Sequence, residues 1–191
     1  MNYLALVCGA ITAIAMAGCA SVQQSAPSAG PSPIPVATPR LGLFSNIKVP
    51  SDREPVLHLT GKGVQIFRCE KRDKDLVWSF RQPEAELIDP ASSKVIGRHG
   101  ASFSFEHVDG SRLIATVAAY DDAPQPGDLR WLLLTTRSFN RGAFDGVTQV
   151  QRINTKGGMP PPRCETAQSG QVLRVDFSAD FVFYRPKPDP R

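Results

Sequence analysis

The chain has 191 residues, of which 41% are apolar, and it carries 22 basic and 18 acidic side chains for a net charge of +4. This length and composition exclude a large multidomain protein and an acidic disordered chain. No charged residue precedes Arg40, so the first fifth of the chain differs in kind from the rest.

The first 18 residues have the features of an export leader. Residues 3–18 are apolar or small except for Thr12. This run is slightly longer than the apolar region of a typical signal peptide and shorter than a typical membrane-spanning helix. The exit sequence, residues 16–19, resembles the lipobox of bacterial lipoprotein precursors and predicts that Cys19 becomes a lipidated N-terminus. Two alternatives stay open, a secretory cut after Ala17 and an uncleaved anchor.

The export signal also predicts a location. All three interpretations place the rest of the chain outside the cytoplasm. Ala20, rather than Asp, follows the cysteine, which resembles the signal that lets diderm lipoproteins travel to the outer membrane. We therefore expect the periplasmic face of the outer membrane, with membrane lipid as a partner through the anchor, or secretion if Cys19 is not lipidated.

Residues 19–55 are predicted to be the lipidated N-terminus and a linker. Residues 21–39 are mainly Ser, Ala, Gln and Pro, a composition that cannot supply a core. Its prolines favour the extended polyproline conformation, in which about 19 residues reach roughly 60 Å.

Residues 56–185 are predicted to form one β-domain, followed by a disordered tail over 186–191. Leu173, Val175 and Phe177 alternate with polar or exposed positions, the pattern of a half-buried strand. Residues 131–134 are typical of a strand buried on both faces. Short runs of this kind, separated by turn residues, predict an all-β fold, an antiparallel β-sandwich or barrel of roughly ten short strands.

Two cysteines belong to the predicted domain. Cys8 and Cys19 lie in the leader and at its end, which leaves Cys69 and Cys164. Outside the reducing cytoplasm, such a pair most economically forms one disulfide. A reactive thiol pair lacks the C-x-x-C spacing that would support it.

Eight sequence blocks, taken together, resemble one family, the domain of unknown function 3455, found in exported bacterial and fungal proteins. The most specific block is Q-R-x-N-T-x-G-G at residues 151–158. The resemblance spans about residues 56–184 and implies no activity. The blocks are residues 61–69, 83–87, 97–99, 106–111, 131–134, 150–158, 160–164 and 179–184.

The sequence contains no motif that specifies a reaction. His58, His99 and His107 lack a metal-ligand spacing, and we expect no metal site and no cofactor. No G-x-S-x-G elbow or dinucleotide fingerprint occurs. Export and the scattered basic residues make nucleic acid an unsuitable partner.

We expect a cell-envelope protein whose β-domain has a non-catalytic structural role or binds a small ligand or envelope component. The alternative is an exported hydrolase that uses His99 with Asp109 or Glu84. In the structural interpretation, the polar residues of the family-like blocks satisfy buried backbone groups and turns. In the functional one they line a binding site; these candidates are Gln65, Glu84, His99, Asp109, Gln151, Arg152 and Thr155.

Overall fold

The structure is a computed structural model that describes residues 39–189, and these residues contain eight β-strands. Two single turns of 3-10 helix, Ala101–Phe103 and Thr166–Gln168, accompany them. None of the helical segments within residues 39–189 has the length and apolar character needed to span a membrane. The strands are β1 Arg53–Arg72, β2 Asp75–Asp89, β3 Lys94–Gly100, β4 Ser104–His107, β5 Arg112–Asp121, β6 Trp131–Phe139, β7 Gln149–Gly157 and β8 Val172–Pro186.

The strands form one closed antiparallel barrel in chain order, in which β8 returns to pair with β1. The predicted all-β antiparallel fold is confirmed, and the sheet closes on itself. The strands are fewer than the roughly ten expected because β1, with 20 residues, and β2 and β8, with 15 each, are long. The register between β1 and β2 shifts opposite Ile66 and Phe67, where Arg81 of β2 is the extra residue, so β2 bends there without ending.

Apolar side chains fill the interior of the barrel. An eight-stranded barrel is just wide enough for its inward side chains to meet, and Leu59, Leu87, Phe105 and Phe181 are fully buried. The ring of Phe105 lies 5.2 Å from that of Phe181 in an edge-to-face arrangement. A side chain at Gly61 would overlap the Phe181 ring, so this glycine makes room for the aromatic core.

A segment ahead of β1 covers part of the outer surface. Residues 41–49, which we call the strap, lie over β5 to β8, and Ile47 is fully buried there. Leu133 and Trp131 pack beneath the strap while Leu132 and Leu134 face the interior, which explains why β6 is apolar on both faces. Packed residues thus occur within the range 19–55 assigned to the linker, whereas the predicted leader and Cys19 lie outside the described residues.

The disulfide joins β1 to the long loop between β7 and β8. Cys69 and Cys164 are bonded, as predicted. Backbone hydrogen bonds support the same attachment: Cys69 N–H donates to the Gln171 carbonyl at 2.9 Å, and Gly170 N–H donates to the Cys69 carbonyl at 2.9 Å. The bridge therefore holds residues 158–171 against the end of the barrel where β1 and β2 extend furthest.

Candidate functional site

A surface groove of about 730 Å³ lies across strands β1 to β4 and the beginning of β8. Its position follows from strand alternation, because the charged residues of these strands point away from the apolar interior. The groove contains two of the predicted site residues, Glu84 and His99. Its charged lining residues are Lys62, Glu84, Glu86, Arg98, Glu106 and Arg174.

Four of these charges form a ladder across consecutive strands. Lys62 is the register partner of Glu86, Glu86 that of Arg98, and Arg98 that of Glu106. The charges alternate in sign, and with a strand spacing of about 4.8 Å the ladder extends over about 14 Å. Within residues 39–189, none of the four forms an ion pair. Their charged groups are therefore available to a ligand.

The remaining two charges close one side of the groove. Arg174 Nη2 donates to Glu84 Oε2 at 2.6 Å across the β1 strand that separates them. This hydrogen bond to the guanidinium lowers the pKa of Glu84. Both side chains are exposed, so the pair contributes little to stability and its charges can exchange partners with a ligand.

His99 forms part of the groove wall, yet only 2% of its surface is exposed. Its ring stacks on Phe105 with centroids 4.2 Å apart. Nδ1 lies 2.9 Å from the Ser104 carbonyl, and since a carbonyl only accepts, Nδ1 carries the proton. Burial, together with the nearby Arg152 cation, lowers the pKa of His99 to about 4. The ring is therefore neutral at pH 7.

Arg152 and Thr155 attach a neighbouring loop instead of facing the groove. The Arg152 guanidinium donates from Nε and Nη2 to the Arg130 carbonyl, at 3.3 and 2.9 Å. Thr155 Oγ1 donates to the Leu129 carbonyl at 2.5 Å. Burial lowers the pKa of Arg152 to about 10, which leaves it charged at pH 7. Both residues thus donate to backbone oxygens of the segment before β6 and hold it against the barrel.

Gln151 attaches the strap. Its Nε2 donates to the Ile47 carbonyl at 2.6 Å, and its Oε1 accepts from the Tyr184 hydroxyl at 2.6 Å. All three residues are buried. The predicted candidates Gln151, Arg152 and Thr155 therefore each hold a segment of chain in place.

Asp109 organises a turn at the opposite end of β4 from Ser104. Its Oδ1 accepts from the backbone and hydroxyl of Ser111, at 2.9 and 2.6 Å, and its Oδ2 accepts from Ala143 N–H at 2.7 Å. These bonds, led by the Ser111 hydroxyl, hold the pKa of Asp109 well below its usual range. The histidine beside Asp109 is His107, whose Nδ1 lies 3.0 Å from Oδ1. The structure therefore does not pair Asp109 with His99.

Gln65 lies inside the barrel between Pro83 and Val175 of the flanking strands. It is 2% exposed, and its Nε2 is buried without a hydrogen-bond partner among residues 39–189.

The third histidine, His58, lies 3.2 Å from Asp180 Oδ1 on the outer face. Across residues 39–189, no group of three or more His, Cys, Asp or Glu side chains is arranged to hold a metal ion.

Fold and site together define a class of small disulfide-linked β-barrels with a filled interior, polar attachments for outlying segments and an external charged groove. The chain belongs to the family described as protein of unknown function, DUF3455, whose sequence model matches residues 50–185. No curated protein and no solved structure matches the chain. The family description assigns no activity, so a function has to be argued from the site.

Most of the groove could not be selected from the sequence. Arg98 belongs to the scattered basic residues, Lys62 lies within a family-like block and Arg174 within the alternating pattern around Phe177, and nothing local marks them as ligand contacts. Each lies at an outward position of its strand, and its neighbours across the sheet become known only once the register is known. The available signal was the alternation of sign across the consecutive strands β2, β3 and β4, which short connections force to pair.

Proposed function

We propose that the protein is a cell-envelope lipoprotein whose barrel binds a small polar ligand in the groove and has no catalytic role. The observation that carries the binding part is the ladder of four alternating charges. A ligand suited to it carries both a positive and a negative group, separated by about one or three strand spacings of 4.8 Å, because charges of opposite sign lie at these separations in the ladder.

The structural interpretation of the other candidates supports this choice. Gln151, Arg152 and Thr155 already use their hydrogen-bonding groups on backbone oxygens and on Tyr184. Glu86, Arg98 and Glu106 do not, since the salt bridges within residues 39–189 involve other residues. A ligand gains more from charged groups that have no partner to give up.

Calorimetry at low ionic strength tests the binding proposal. The probes are a zwitterionic dipeptide, a dicarboxylate, a diamine and a neutral disaccharide. We expect saturable binding of the dipeptide, weakened by Arg98→Gln and unaffected by Arg137→Gln, an exposed arginine on β6 outside the groove. Equal binding by both variants would contradict the proposal that the groove is the binding site.

The anchor is tested separately in cells. The lipobox-like residues 16–19 and the proline-rich linker support lipidation at Cys19. Labelled palmitate should be incorporated into the full chain and not into a Cys19→Ser variant, which should lose membrane association. Incorporation of label into Cys19→Ser would contradict the proposal.

The alternative proposal is an exported hydrolase with His99 and Glu84, the two predicted residues that share the groove. It would require the His99 ring to become accessible, since 2% of the residue is exposed. Hydrolysis of ester or glycoside probes that Glu84→Gln abolishes and Arg137→Gln preserves would support this alternative over the binding role.

A further inference from the structure

The strap carries the most exposed pair of large apolar side chains in the described chain. Leu43 is 79% exposed and Phe44 is 91% exposed. They occupy the tip of a turn that Ser45 N–H closes by donating to the Gly42 carbonyl at 3.2 Å. Lys48 Nζ donates to the Leu43 carbonyl across the same turn. Two adjacent large apolar residues held at a tip form a compact element that can enter an apolar phase.

The turn is rigidly attached to the barrel. Ser45 Oγ donates to Asp121 Oδ2 at 2.6 Å, and Asn46 donates from its backbone and side chain to Asp121 Oδ1 at 3.0 and 2.8 Å. One residue further on, Ile47 is fully buried. Because these contacts fix the base of the turn, little conformational entropy is lost when its tip is bound.

Charge and chain position indicate the occupant. No acidic residue occurs between Cys19 and Ser51, whereas Arg40 and Lys48 flank the turn and are exposed. Only 19 residues separate Cys19 from Pro39, where the described chain begins. An apolar tip with basic flanks complements a bilayer that contains anionic lipids.

We propose that the Leu43–Phe44 turn is a membrane-docking element that inserts into the bilayer interface while Arg40 and Lys48 contact anionic headgroups. The inference rests on the proposed lipoprotein function, since that anchor brings the bilayer within reach. Docking would orient the barrel with the strap toward the membrane.

The test uses the chain from residue 20 onward, which contains the strap and the whole barrel but no lipid. Flotation with vesicles of phosphatidylcholine and phosphatidylglycerol in equal parts measures binding. We expect the unlipidated chain to bind, less at high salt, and the double variant Leu43→Ser/Phe44→Ser to bind at least about tenfold more weakly, because two large side chains no longer leave water. The control is Val108→Ser, which removes an apolar residue that is 73% exposed in another turn.

Phe44→Trp supplies a second readout, because its fluorescence should shift to the blue when these vesicles are added. Unchanged binding by the double variant, no binding by the unlipidated chain, or no blue shift would each overturn the docking element. Self-association through this turn without vesicle binding would also overturn it. None of these results concerns palmitate incorporation at Cys19, so failure of the anchor and failure of the docking element remain distinguishable.

Discussion

The side-chain amide of Gln151 donates a 2.6 Å hydrogen bond to the carbonyl of Ile47, which lies 104 residues earlier in the chain. The two residues are buried, and the Tyr184 hydroxyl completes the arrangement by donating to the same amide. The strap is therefore attached by a specific polar contact as well as by apolar packing.

Replacing Gln151 with Leu should destabilise the protein strongly. The change keeps the volume but leaves the Ile47 carbonyl and the Tyr184 hydroxyl buried without partners, at about 1 to 3 kcal/mol each. We expect a loss of about 2 to 6 kcal/mol in the free energy of unfolding by urea. Gln171→Leu, at an exposed glutamine, is the control and should change stability by less than about 0.5 kcal/mol. Equal effects of the two variants would show that the attachment does not matter.

Within the strap, Ile47 and Phe44 should respond in opposite ways to truncation. Ile47→Ala removes a fully buried side chain and should cost about 2 to 4 kcal/mol. Phe44→Ala removes a side chain that is 91% exposed and should change stability by less than about 0.5 kcal/mol. Thermal and urea unfolding measure both. A large loss with Phe44→Ala would mean that this ring packs on the barrel and does not project from it.

Loss of the disulfide should destabilise the barrel without changing its fold. The bond joins residues 95 apart, and the chain-entropy estimate for such a loop is about 4 to 5 kcal/mol, with strain able to reduce it. The double variant Cys69→Ser/Cys164→Ser should therefore unfold at lower urea, and added reductant should lower the midpoint of the unmodified protein but not that of the variant. A reductant effect on the variant would contradict this assignment.

His99 should make the protein less stable in mild acid. Burial lowers the pKa of His99 from its ordinary value of 6.5 to about 4 in the folded state. Between pH 6.5 and pH 4, the unfolded chain therefore binds a proton at this histidine and the folded chain does not. The contribution of neutral His99 to the free energy of unfolding is fully present above pH 6.5. It falls by about 1.4 kcal/mol per pH unit toward pH 4, on the order of 3 kcal/mol in all. His99→Gln should flatten this part of the stability curve.

His58 provides the control of opposite sign for that measurement. The Asp180 carboxylate, 3.2 Å from His58 Nε2, raises the pKa of His58 in the folded state. The contribution of His58 to the free energy of unfolding is therefore present below pH 6.5 and is lost as the pH rises through the raised value. His58→Gln should therefore cost more stability at pH 5.5 than at pH 8. Parallel curves for the two histidine variants would contradict the assigned environments.

The fold class was predictable because burial leaves a local signature. Alternation around Phe177 and the apolar run at residues 131–134 follow directly from which side chains face the core. The disulfide was predictable because only Cys69 and Cys164 remain once Cys8 and Cys19 are assigned to the predicted leader. The strand number was not, because a bulge such as that at Arg81 interrupts the alternation along β2 without ending the strand.

The roles of the polar residues depended on contacts distant in sequence. Gln151, Arg152 and Thr155 stand out among the polar residues of the family-like blocks, but their partners Ile47, Arg130 and Leu129 come from other segments. Nothing local to these residues distinguishes a ligand contact from the attachment of a loop. The strap was hidden for a similar reason, since Ile47 sits in a stretch whose composition resembles a linker.

A nuclear magnetic resonance titration of the labelled protein with the zwitterionic dipeptide tests the central proposal, that the groove over β1 to β4 is the binding site. We expect saturable shifts of the backbone amides around Lys62, Glu86, Arg98 and Glu106, which require higher dipeptide concentrations in Arg98→Gln and are retained in Arg137→Gln. Shifts centred on residues 151–155, or shifts that Arg98→Gln leaves unchanged, would contradict the proposal.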